Sequence, residues 1–338
     1  MDPRYIPRVI YAGIDEAGYG PLLGPLCVGA SAFRLADADG SMANDVLREG
    51  GSPEGPRAPD LWKALASGVC RKPRDARRRI AVADSKKLKS AGSQPLIHLE
   101  RGVLAFAGTE LLDDAQLFAR LGVHARACAA SPWHAQVLPV PMAHTKDEIG
   151  IARSVVARAL ERAEAEVAHL GVSALDAPAF NALYRTLGNK AHVNLTLVFE
   201  AARQIDLLRC NEPAFLAIDR QGGRASYTTE LKEHLARGAR VRTISESDEI
   251  STYEVGDGLF VSFEVGAEDR HLPVALASMG AKLVRELFMR RLNAYFAQRN
   301  PGLAPTAGYV EDGRRFLAEV KPILLREAIP EADFARVV

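Results

Sequence analysis

The stretch that decides the fold reads Tyr11-Ala-Gly-Ile-Asp15-Glu16-Ala-Gly18-Tyr19-Gly20-Pro21-Leu-Leu-Gly24-Pro25. A run of strand-forming residues ends at two adjacent acids, and glycines and prolines follow directly. Acids at the exposed end of a buried strand can gather around a cation, because the pleat aims the side chains while the sheet holds them still. The Gly-rich turn leaves main-chain N–H groups uncovered, so a polyanion can come close. This layout predicts a phosphodiester-cutting site, with metal on one side and phosphate on the other.

The bulk properties indicate a soluble globular protein. The 338 residues suffice for one large or two ordinary domains, with 48% hydrophobic and 25% charged residues. Because the net charge is +1, any attraction to nucleic acid must be local. The four cysteines are scattered and form no CxxC, which disfavours structural zinc and a disulfide framework. The first residues lack an apolar signal core, and no apolar run approaches the ~20 residues that span a bilayer. We therefore expect a cytoplasmic protein.

Strands and helices alternate in the predicted element order. The expected strands are Arg8–Ile14, Leu26–Leu35 as its hairpin or neighbouring partner, and Ala214–Asp219. The expected helices cover Asp60–Val69, the segment from the capping box Thr145–Glu148 to near Gly171, about Ala191–Leu208, Pro273 to about Gln298, and Gly313–Ala328. Residues 36–59 are rich in Gly, Asp, Pro and Ser, which is typical of a surface loop. Strands mixed with helices indicate an α/β layered fold.

Three places supply acids in suitable positions: Asp15 with Glu16, Asp219, and Glu286. Ser278, Lys282 and Glu286 are spaced i, i+4, i+8, so they share one helix face. Two strand-end acids facing such a helix could bind one or two Mg²⁺ ions, which prefer a few carboxylates and let substrate phosphate complete the shell. Two ions can hold the attacking water and the leaving oxygen in line.

Simpler explanations exist for most of these features. A strand-end acid is most often a turn residue or a helix N-cap, and Lys282 with Glu286 is most often a surface pair. The basic run Arg71–Arg79 is usually a solvated loop. The spacing GxGxxxG at Gly18–Gly24, interrupted by proline, departs from a dinucleotide fingerprint. The chain also lacks GK[ST], GxSxG and a metal-ligand histidine spacing, so nucleotide cofactors, zinc and serine hydrolysis are disfavoured.

Five motifs resemble those of the ribonuclease HII family and follow the family's order. Residues 13–25, GIDEAGYGPLLGP, resemble the opening motif GIDEAGRGPLxGP, and Ala83–Leu88 resembles the DSKKL motif. Leu216–Asp219 is similar to the family's central strand, which ends in Asp. Glu268–Glu286 is similar to the segment DxKxxSIAAASIxAKVxRD, and Thr306–Tyr309 to a late GY element. The first two motifs are highly specific and the last two moderately so.

The resemblance implies a ribonuclease H-like α/β fold, in which helices flank a mixed β-sheet, with a small helical C-terminal extension. The catalytic domain would cover residues 1–300, and the extension residues 301–338. The catalytic domain would carry a loop insertion at about 36–60 and an expanded helical region at about 98–210, which matches the family poorly.

The resemblance also implies two-metal hydrolysis, with Mg²⁺ or Mn²⁺, of RNA in a hybrid or of a ribonucleotide embedded in duplex DNA. The implied metal-binding and catalytic acids are Asp15, Glu16, Asp219 and Glu286. Main-chain groups of Gly18, Tyr19 and Gly20 would face the ribose 2′-hydroxyl, which distinguishes RNA from DNA. The other implied substrate-binding residues are Ser85, Lys86 and Lys87 at phosphates, Lys282, and Tyr309 against the sugar at the RNA–DNA junction.

Four positions depart from the family pattern. Tyr19 replaces the usual Arg, and Glu286 stands where the family has Asp, which lengthens the carboxylate's reach by one methylene. Glu268 and Arg270 similarly stand for Asp and Lys. The chain therefore resembles a divergent member.

Three hypotheses follow. The first is a metal-dependent endoribonuclease whose partner is an RNA–DNA hybrid or a ribonucleotide-containing duplex, acting as a monomer away from membranes. The second is a non-catalytic nucleic-acid-binding homologue, motivated by the Asp-to-Glu changes in the fourth motif, although retention of the four acids argues against it. The third is a DNA-directed nuclease on the same fold, with Tyr19 altering sugar selection.

Overall fold

The computed structural model describes residues 8–37, 58–88, 95–123 and 131–337. A seven-stranded mixed sheet has the order β5-β2-β1-β6-β9-β8-β7. A separate small sheet pairs β3 with β4 in parallel. The strands are Arg8–Ala17 (β1), Leu26–Ala36 (β2), Val69–Cys70 (β3), Ile80–Ala81 (β4), Ala165–Leu175 (β5), Ala214–Asp219 (β6), Val241–Glu246 (β7), Ile250–Val255 (β8) and Leu259–Glu264 (β9).

Helices cover both faces of the large sheet. They are Leu61–Ala64 (α1), Ile97–Ala107 (α2), Asp114–Arg120 (α3), Lys146–Arg162 (α4), Ala177–Leu187 (α5), Lys190–Leu208 (α6), Thr228–His234 (α7), Leu272–Arg299 (α8), Val310–Arg326 (α9) and Glu331–Phe334 (α10). Short 3₁₀ turns lie at Pro73–Asp75, Pro132–Ala135 and Ala267–Asp269. The predicted α/β class, with a mixed sheet flanked by helices, is confirmed. Among the described residues, no helix is both long and apolar enough to cross a membrane.

Strand β1 is buried on both sides, as a central strand between two helical layers must be. Its side chains alternate: Val9 and Tyr11 join the core under α2, α4 and α8, whereas Ile10 and Ala12 join the core under α6 and α7. β1 pairs antiparallel with β2 and parallel with β6. Because neighbouring parallel strands end at the same edge, the last residues of β1 and β6 meet there.

Two glycines let α8 lie directly on the sheet. A Cβ atom at Gly13 would overlap the main-chain nitrogen of Val274, and one at Gly29 would overlap the carbonyl of Ala277. Gly29 is the cross-strand partner of Asp15. This close approach fixes the helix against the end of β1, where the acids lie.

Several sequence predictions hold with small changes of bounds. The predicted partner of β1 is the antiparallel β2, and the long helix predicted from Pro273 is α8. The capping box is present, because Thr145 and Glu148 bond reciprocally at the start of α4. The helix predicted over Asp60–Val69 is shorter, since α1 ends at Ala64. The predicted loop insertion lies mostly outside the described residues.

The predicted end of the capping-box helix near Gly171 is wrong. Helix α4 ends at Arg162, and Glu164 then takes a positive φ of 48°, which turns the chain. The next residues form β5, which pairs antiparallel with β2. Ala165–Leu175 mixes small and apolar residues without clear alternation, so its pattern fits a helix as well as a strand. The region at 98–210 therefore holds a strand of the main sheet as well as helices.

The C-terminal helices pack on the end of α8 and on the loop after β1. Phe316 of α9 and Phe334 of α10 share a buried cluster with Leu23 and Phe296. Leu23 also forms an antiparallel bridge with Ala335. The segment after residue 300 thus supports the loop that carries the opening motif.

Candidate active site

Asp15 and Asp219 lie at the carboxyl ends of adjacent parallel strands. The register pairs Ile14 with Ile218, so the two acids follow at matching positions. The alternation of β6 puts Phe215 and Ala217 in the core beneath α8, and it puts Asp219 on that same face. Asp15 is almost fully buried, with 7% of its surface exposed.

Glu16 joins this group through an amide bridge. The Nε2 of Gln221 donates to Glu16 Oε2 at 2.8 Å and to the carbonyl oxygen of Asp219 at 3.0 Å. The side-chain amide of Asn194, on α6, donates in turn to the Oε1 of Gln221. The main-chain N–H of Glu16 also donates to Asp15 Oδ1 at 2.7 Å. One helix, α6, and the segment that follows β6 therefore set the direction of the Glu16 carboxylate.

Glu268 supplies a fourth carboxylate, from the 3₁₀ turn that joins β9 to α8. The main-chain N–H of Ala267 donates to Asp219 Oδ1 at 3.1 Å, which ties this turn to the end of β6. The charge of Glu268 raises the pKa values of Asp15, Glu16 and Asp219. Its own Oε2 atom is buried and has no hydrogen-bond partner among the described residues.

Burial and mutual repulsion raise the pKa values of these acids. Burial first, and the charge of Glu268 next, raise the pKa of Asp219 to about 7. Burial and the charges of Glu16 and Asp219 hold the pKa of Asp15 well above its ordinary range, against a hydrogen bond from Ser278. Burial also raises the pKa of Glu16. A cation bound among the acids would reverse these shifts, because a nearby opposite charge favours the ionised form.

Glu286 lies apart from the other three predicted acids. Its Oε1 atom is 2.7 Å from the Nζ of Lys282 and 3.8 Å from a guanidinium nitrogen of Arg285. Ser278 is the residue of α8 that lies near Asp15 and lowers its pKa, and Glu286 follows eight residues later, about 12 Å further along the helix axis at 1.5 Å per residue. Glu286 therefore shares a helix face with Ser278 but does not lie next to Asp15. The pair Lys282–Glu286 forms the i, i+4 contact of an ordinary helix surface.

The DSKK segment borders the acid group. The hydroxyl oxygens of Ser85 and Ser278 are 3.2 Å apart. Burial lowers the pKa of Lys86, but the charges of Asp84, Glu268, Asp15 and Asp219 outweigh burial and raise it overall, so its ammonium lies near the carboxylates. The Nζ of Lys87 lies 2.6 Å from an oxygen of Asp269, the residue after Glu268. Lys86 therefore directs its charge at the site, and Lys87 binds its rim.

The glycine-rich turn borders the acids on another side. Gly18 has a φ of 87°, and a Cβ atom there would collide with the carbonyl of Pro25 and with Arg285. Gly20 is exposed, and nothing lies within 4 Å of a Cβ placed on it. The ring of Tyr19 lies under the ammonium of Lys190, at 5.0 Å. The turn therefore presents main chain, with little side-chain cover, next to Glu16.

Arg285 links this turn to Tyr309. Its guanidinium is 1% exposed and donates to the carbonyls of Ala307, at 2.9 Å, and Leu23, at 3.4 Å. It also lies 5.9 Å from the centre of the Tyr309 ring, which is 55% exposed. Because Gly18 touches the same side chain, the turn and the late GY element form one surface.

In the described ranges, no group of three or more His, Cys, Asp or Glu side chains is arranged so that it could hold a metal ion. The donor chemistry nevertheless fits a divalent ion: carboxylate oxygens are the ligands that Mg²⁺ and Mn²⁺ take in proteins. The unpartnered buried oxygen of Glu268 and the raised pKa values point the same way. The residues present therefore supply the type of ligand atom that such an ion binds.

Sequence comparison adds no relative: no protein-family model matches the chain, and no curated protein matches it. Solved structures resemble it at low identity, and the following three are among them. A ribonuclease HII from Archaeoglobus fulgidus, solved in a complex with PCNA, is 16% identical, over 97% of this chain and 94% of that chain, with a TM-score of 0.44. A ribonuclease H2 from Pyrococcus horikoshii is 12% identical, over 96% and 92%, with a TM-score of 0.42.

The third is a Bst ribonuclease HIII solved with Mn²⁺, 15% identical over 98% of this chain and 67% of that chain, with a TM-score of 0.42. Similarity at this level does not extend to activity or substrate. Solved ribonucleases HII and HIII are thus among the structures that this chain is similar to, and theirs is the family that its motifs resemble.

Proposed function

We propose that this chain is a divalent-metal-dependent endoribonuclease. Its substrates would be the RNA strand of an RNA–DNA hybrid or a ribonucleotide embedded in duplex DNA. The observation that carries the proposal is the meeting of Asp15, Glu16, Asp219 and Glu268 at one edge of the sheet. There the charges of the other three acids raise the pKa of Asp15, and the charge of Glu268 raises the pKa values of Glu16 and Asp219.

Mg²⁺ or Mn²⁺ would be held by these four carboxylates. Glu268 takes the fourth position in this proposal, in place of the predicted Glu286, which contacts Lys282 instead. A bound pair of ions supplies a water nucleophile at neutral pH and stabilises the leaving oxygen. The protein's own part is to keep the acids fixed: Gln221 orients Glu16, Ala267 orients Asp219, and the main-chain N–H of Glu16 donates to Asp15.

Substrate binding would use the surfaces that border the acids. Lys86 would attract a phosphate near the cleaved bond, because its positive charge lies close to the acids of the site. The uncovered main chain of Gly18–Gly20 would approach the ribose and bond its 2′-hydroxyl, the group that separates RNA from DNA. The exposed ring of Tyr309, fixed beside this turn by Arg285, would pack on the neighbouring sugar.

A non-catalytic binder of hybrid duplexes is the second candidate. It is favoured by the finding that no three acids within the described residues are arranged so that they could hold a metal ion. It would bind the same duplexes through the same surfaces but form no product.

A cleavage assay separates the candidates. Three matched duplexes, an RNA–DNA hybrid, a DNA duplex with one ribonucleotide and an all-DNA duplex, are incubated with Mg²⁺ or Mn²⁺. We expect cleavage of the first two and none of the third, with loss of cleavage in Asp15→Asn. Cutting of the all-DNA duplex at a comparable rate would favour a DNA-directed nuclease. Binding without product in either metal would favour the non-catalytic protein.

A further inference from the structure

A basic loop lies beside the acid group and has no part in the function proposed above. Residues 71–79 carry six arginine or lysine side chains and one aspartate, a local charge of 6 − 1 = +5 in a chain whose net charge is +1. Such a run is most often a solvated surface. Its anchoring and its position in the fold argue against that interpretation here.

The small parallel sheet holds the two ends of the loop together. Val69 pairs with Ile80 and Cys70 with Ala81, so residues 71–79 connect two adjacent strands. A 3₁₀ turn begins at Pro73, and the side chain of Ala76 is buried within the loop. The loop is thus built on a frame, and its cations project from fixed backbone.

Arg71 ties this frame to the acid group. Its guanidinium stacks on the ring of Trp62 at 3.7 Å and donates to the main-chain oxygen of Asp269 at 2.7 Å. Asp269 directly follows Glu268, and its carboxylate binds Lys87. The basic loop, the DSKK segment and the turn that carries Glu268 therefore meet at one residue.

The remaining cations of the loop are available to a ligand. Arg74, Arg77 and Arg78 are exposed, and the Arg74 side chain is 77% exposed, with its nearest acid, Asp75, at 3.9 Å. Arg77 and Arg78 have no ion-pair partner in the part of the chain that the structure describes. Unpaired arginines on a fixed loop suit phosphate oxygens, which accept their bidentate hydrogen bonds.

We propose that residues 71–79 form a binding surface for the phosphate backbone of a nucleic-acid duplex, outside the position where the acids act. The inference rests on the proposed function only for its choice of duplex as ligand. The surface would contact phosphates on the side of the site bordered by Asp269 and Lys87. It would supply affinity without reading sequence or sugar, because phosphate contacts carry neither.

The test compares two triple variants with the intact chain. In the loop variant, Arg74→Gln, Arg77→Gln and Arg78→Gln are combined. In the control, Lys232→Gln, Arg237→Gln and Arg240→Gln remove three exposed cations elsewhere. Arg240 directly precedes Val241, the first residue of β7. Across the sheet, Val241 aligns with Ala214, the first residue of β6, so Arg240 lies at the sheet edge opposite Asp219.

Binding is measured by fluorescence anisotropy in EDTA, which prevents cleavage, with labelled hybrid and all-DNA duplexes. At about 100 mM salt we expect the loop variant to bind both duplexes about tenfold or more weakly, and the control to bind normally. The slope of log affinity against log salt should shrink by about 2 to 3, since each phosphate contact contributes about 0.9. Arg77→Lys with Arg78→Lys should keep the slope, because it keeps the charges.

An unchanged slope in the loop variant, or an equal loss in the control, would overturn the inference. A loss confined to the hybrid would also overturn it, because phosphate contacts do not distinguish the sugars. Metal-dependent cleavage by the intact chain is scored separately. If the chain binds through the loop but cuts nothing, the proposed function is contradicted and this inference stands. If the chain cuts hybrids but the loop variant binds them normally, the proposed function stands and this inference is contradicted.

Discussion

Asp219 and Glu268 form the closest link between the sheet and the turn that opens α8. The main chain next to Glu268 donates to Asp219 at 3.1 Å, and the charge of Glu268, second to burial, raises the pKa of Asp219 to about 7. Two carboxylates held together in a partly buried position repel each other and lower the stability of the ion-free fold. The repulsion is the physical cost of a site built to bind a cation.

Replacing Asp219 should therefore stabilise the ion-free protein. Asp219→Asn removes a partly buried charge and keeps the size of the side chain, so we expect the melting temperature in EDTA at pH 8 to rise by a few degrees. The same substitution should abolish metal-dependent cleavage. The matched control is Asp248→Asn, in the turn after β7, which should leave the melting temperature unchanged. A lower melting temperature for Asp219→Asn would contradict the placement of its carboxylate among like charges.

Stability of the ion-free protein should depend on pH with a definite sign. Asp219 ionises at an ordinary pKa of 3.8 when unfolded and at about 7 when folded, so the folded state holds more protons between these values. Its contribution to stability is therefore lost as the pH rises from about 4 through about 7. Urea unfolding in EDTA at several pH values should show stability falling over this range, by less in Asp219→Asn. If stability instead rose with pH over this range, and Asp219→Asn reduced that rise, the raised pKa of folded Asp219 would be refuted.

Metal affinity should depend on Gln221, which no metal would touch. Gln221→Leu removes the donor that holds the Glu16 carboxylate at 2.8 Å, and lost outer contacts of this kind typically cost about 10- to 100-fold in metal affinity. Mn²⁺ binding followed by electron paramagnetic resonance measures this without substrate. Gln298→Leu, an exposed change near the end of α8, is the control. Equal affinity in Gln221→Leu and the intact chain would remove the positioning role.

The contact between α8 and β1 should tolerate no side chain at Gly13. A methyl group there would overlap the main chain of Val274, so the helix must move away from the sheet. We expect Gly13→Ala to destabilise the fold by about 1 to 3 kcal/mol, as overpacking does. Gly223→Ala, where nothing lies within 4 Å of the added carbon, should change stability by less than about 0.5 kcal/mol. Urea unfolding of both variants checks the difference.

The sequence predicted the parts of the site that regular elements carry. Asp15, Glu16 and Asp219 end strands, and strand ends are visible as apolar runs that stop at acids. The relationship between β1, β2 and α8 was predictable for the same reason. Strand β5 was not, because its small and apolar residues fit two periodicities. Strands β7 to β9 were not predicted either, although Gly256-Asp257-Gly258 marks the turn between β8 and β9.

Glu268 was overlooked because it belongs to no periodic element. It lies in a 3₁₀ turn, where spacing does not reveal the direction of a side chain. Glu286 was predicted as a metal-binding acid because it shares a helix face with Ser278 and Lys282. A helix advances 1.5 Å per residue, so the shared face leaves Glu286 about 12 Å further along. The available signal was the start of the fourth motif, where Glu268 stands for the family's Asp.

The most direct test of the site compares Glu268→Gln with Glu286→Gln. The measurement is the single-turnover rate of cleavage of a duplex with one ribonucleotide, in saturating Mn²⁺. The four-carboxylate site predicts a loss of about a hundredfold or more for Glu268→Gln, the scale of removing one preorganised charge group from an active site. It predicts a rate within about twofold of the intact chain for Glu286→Gln, which loses its ion pairs with Lys282 and Arg285 and is no part of the four-carboxylate site. The reverse order of effects would contradict it.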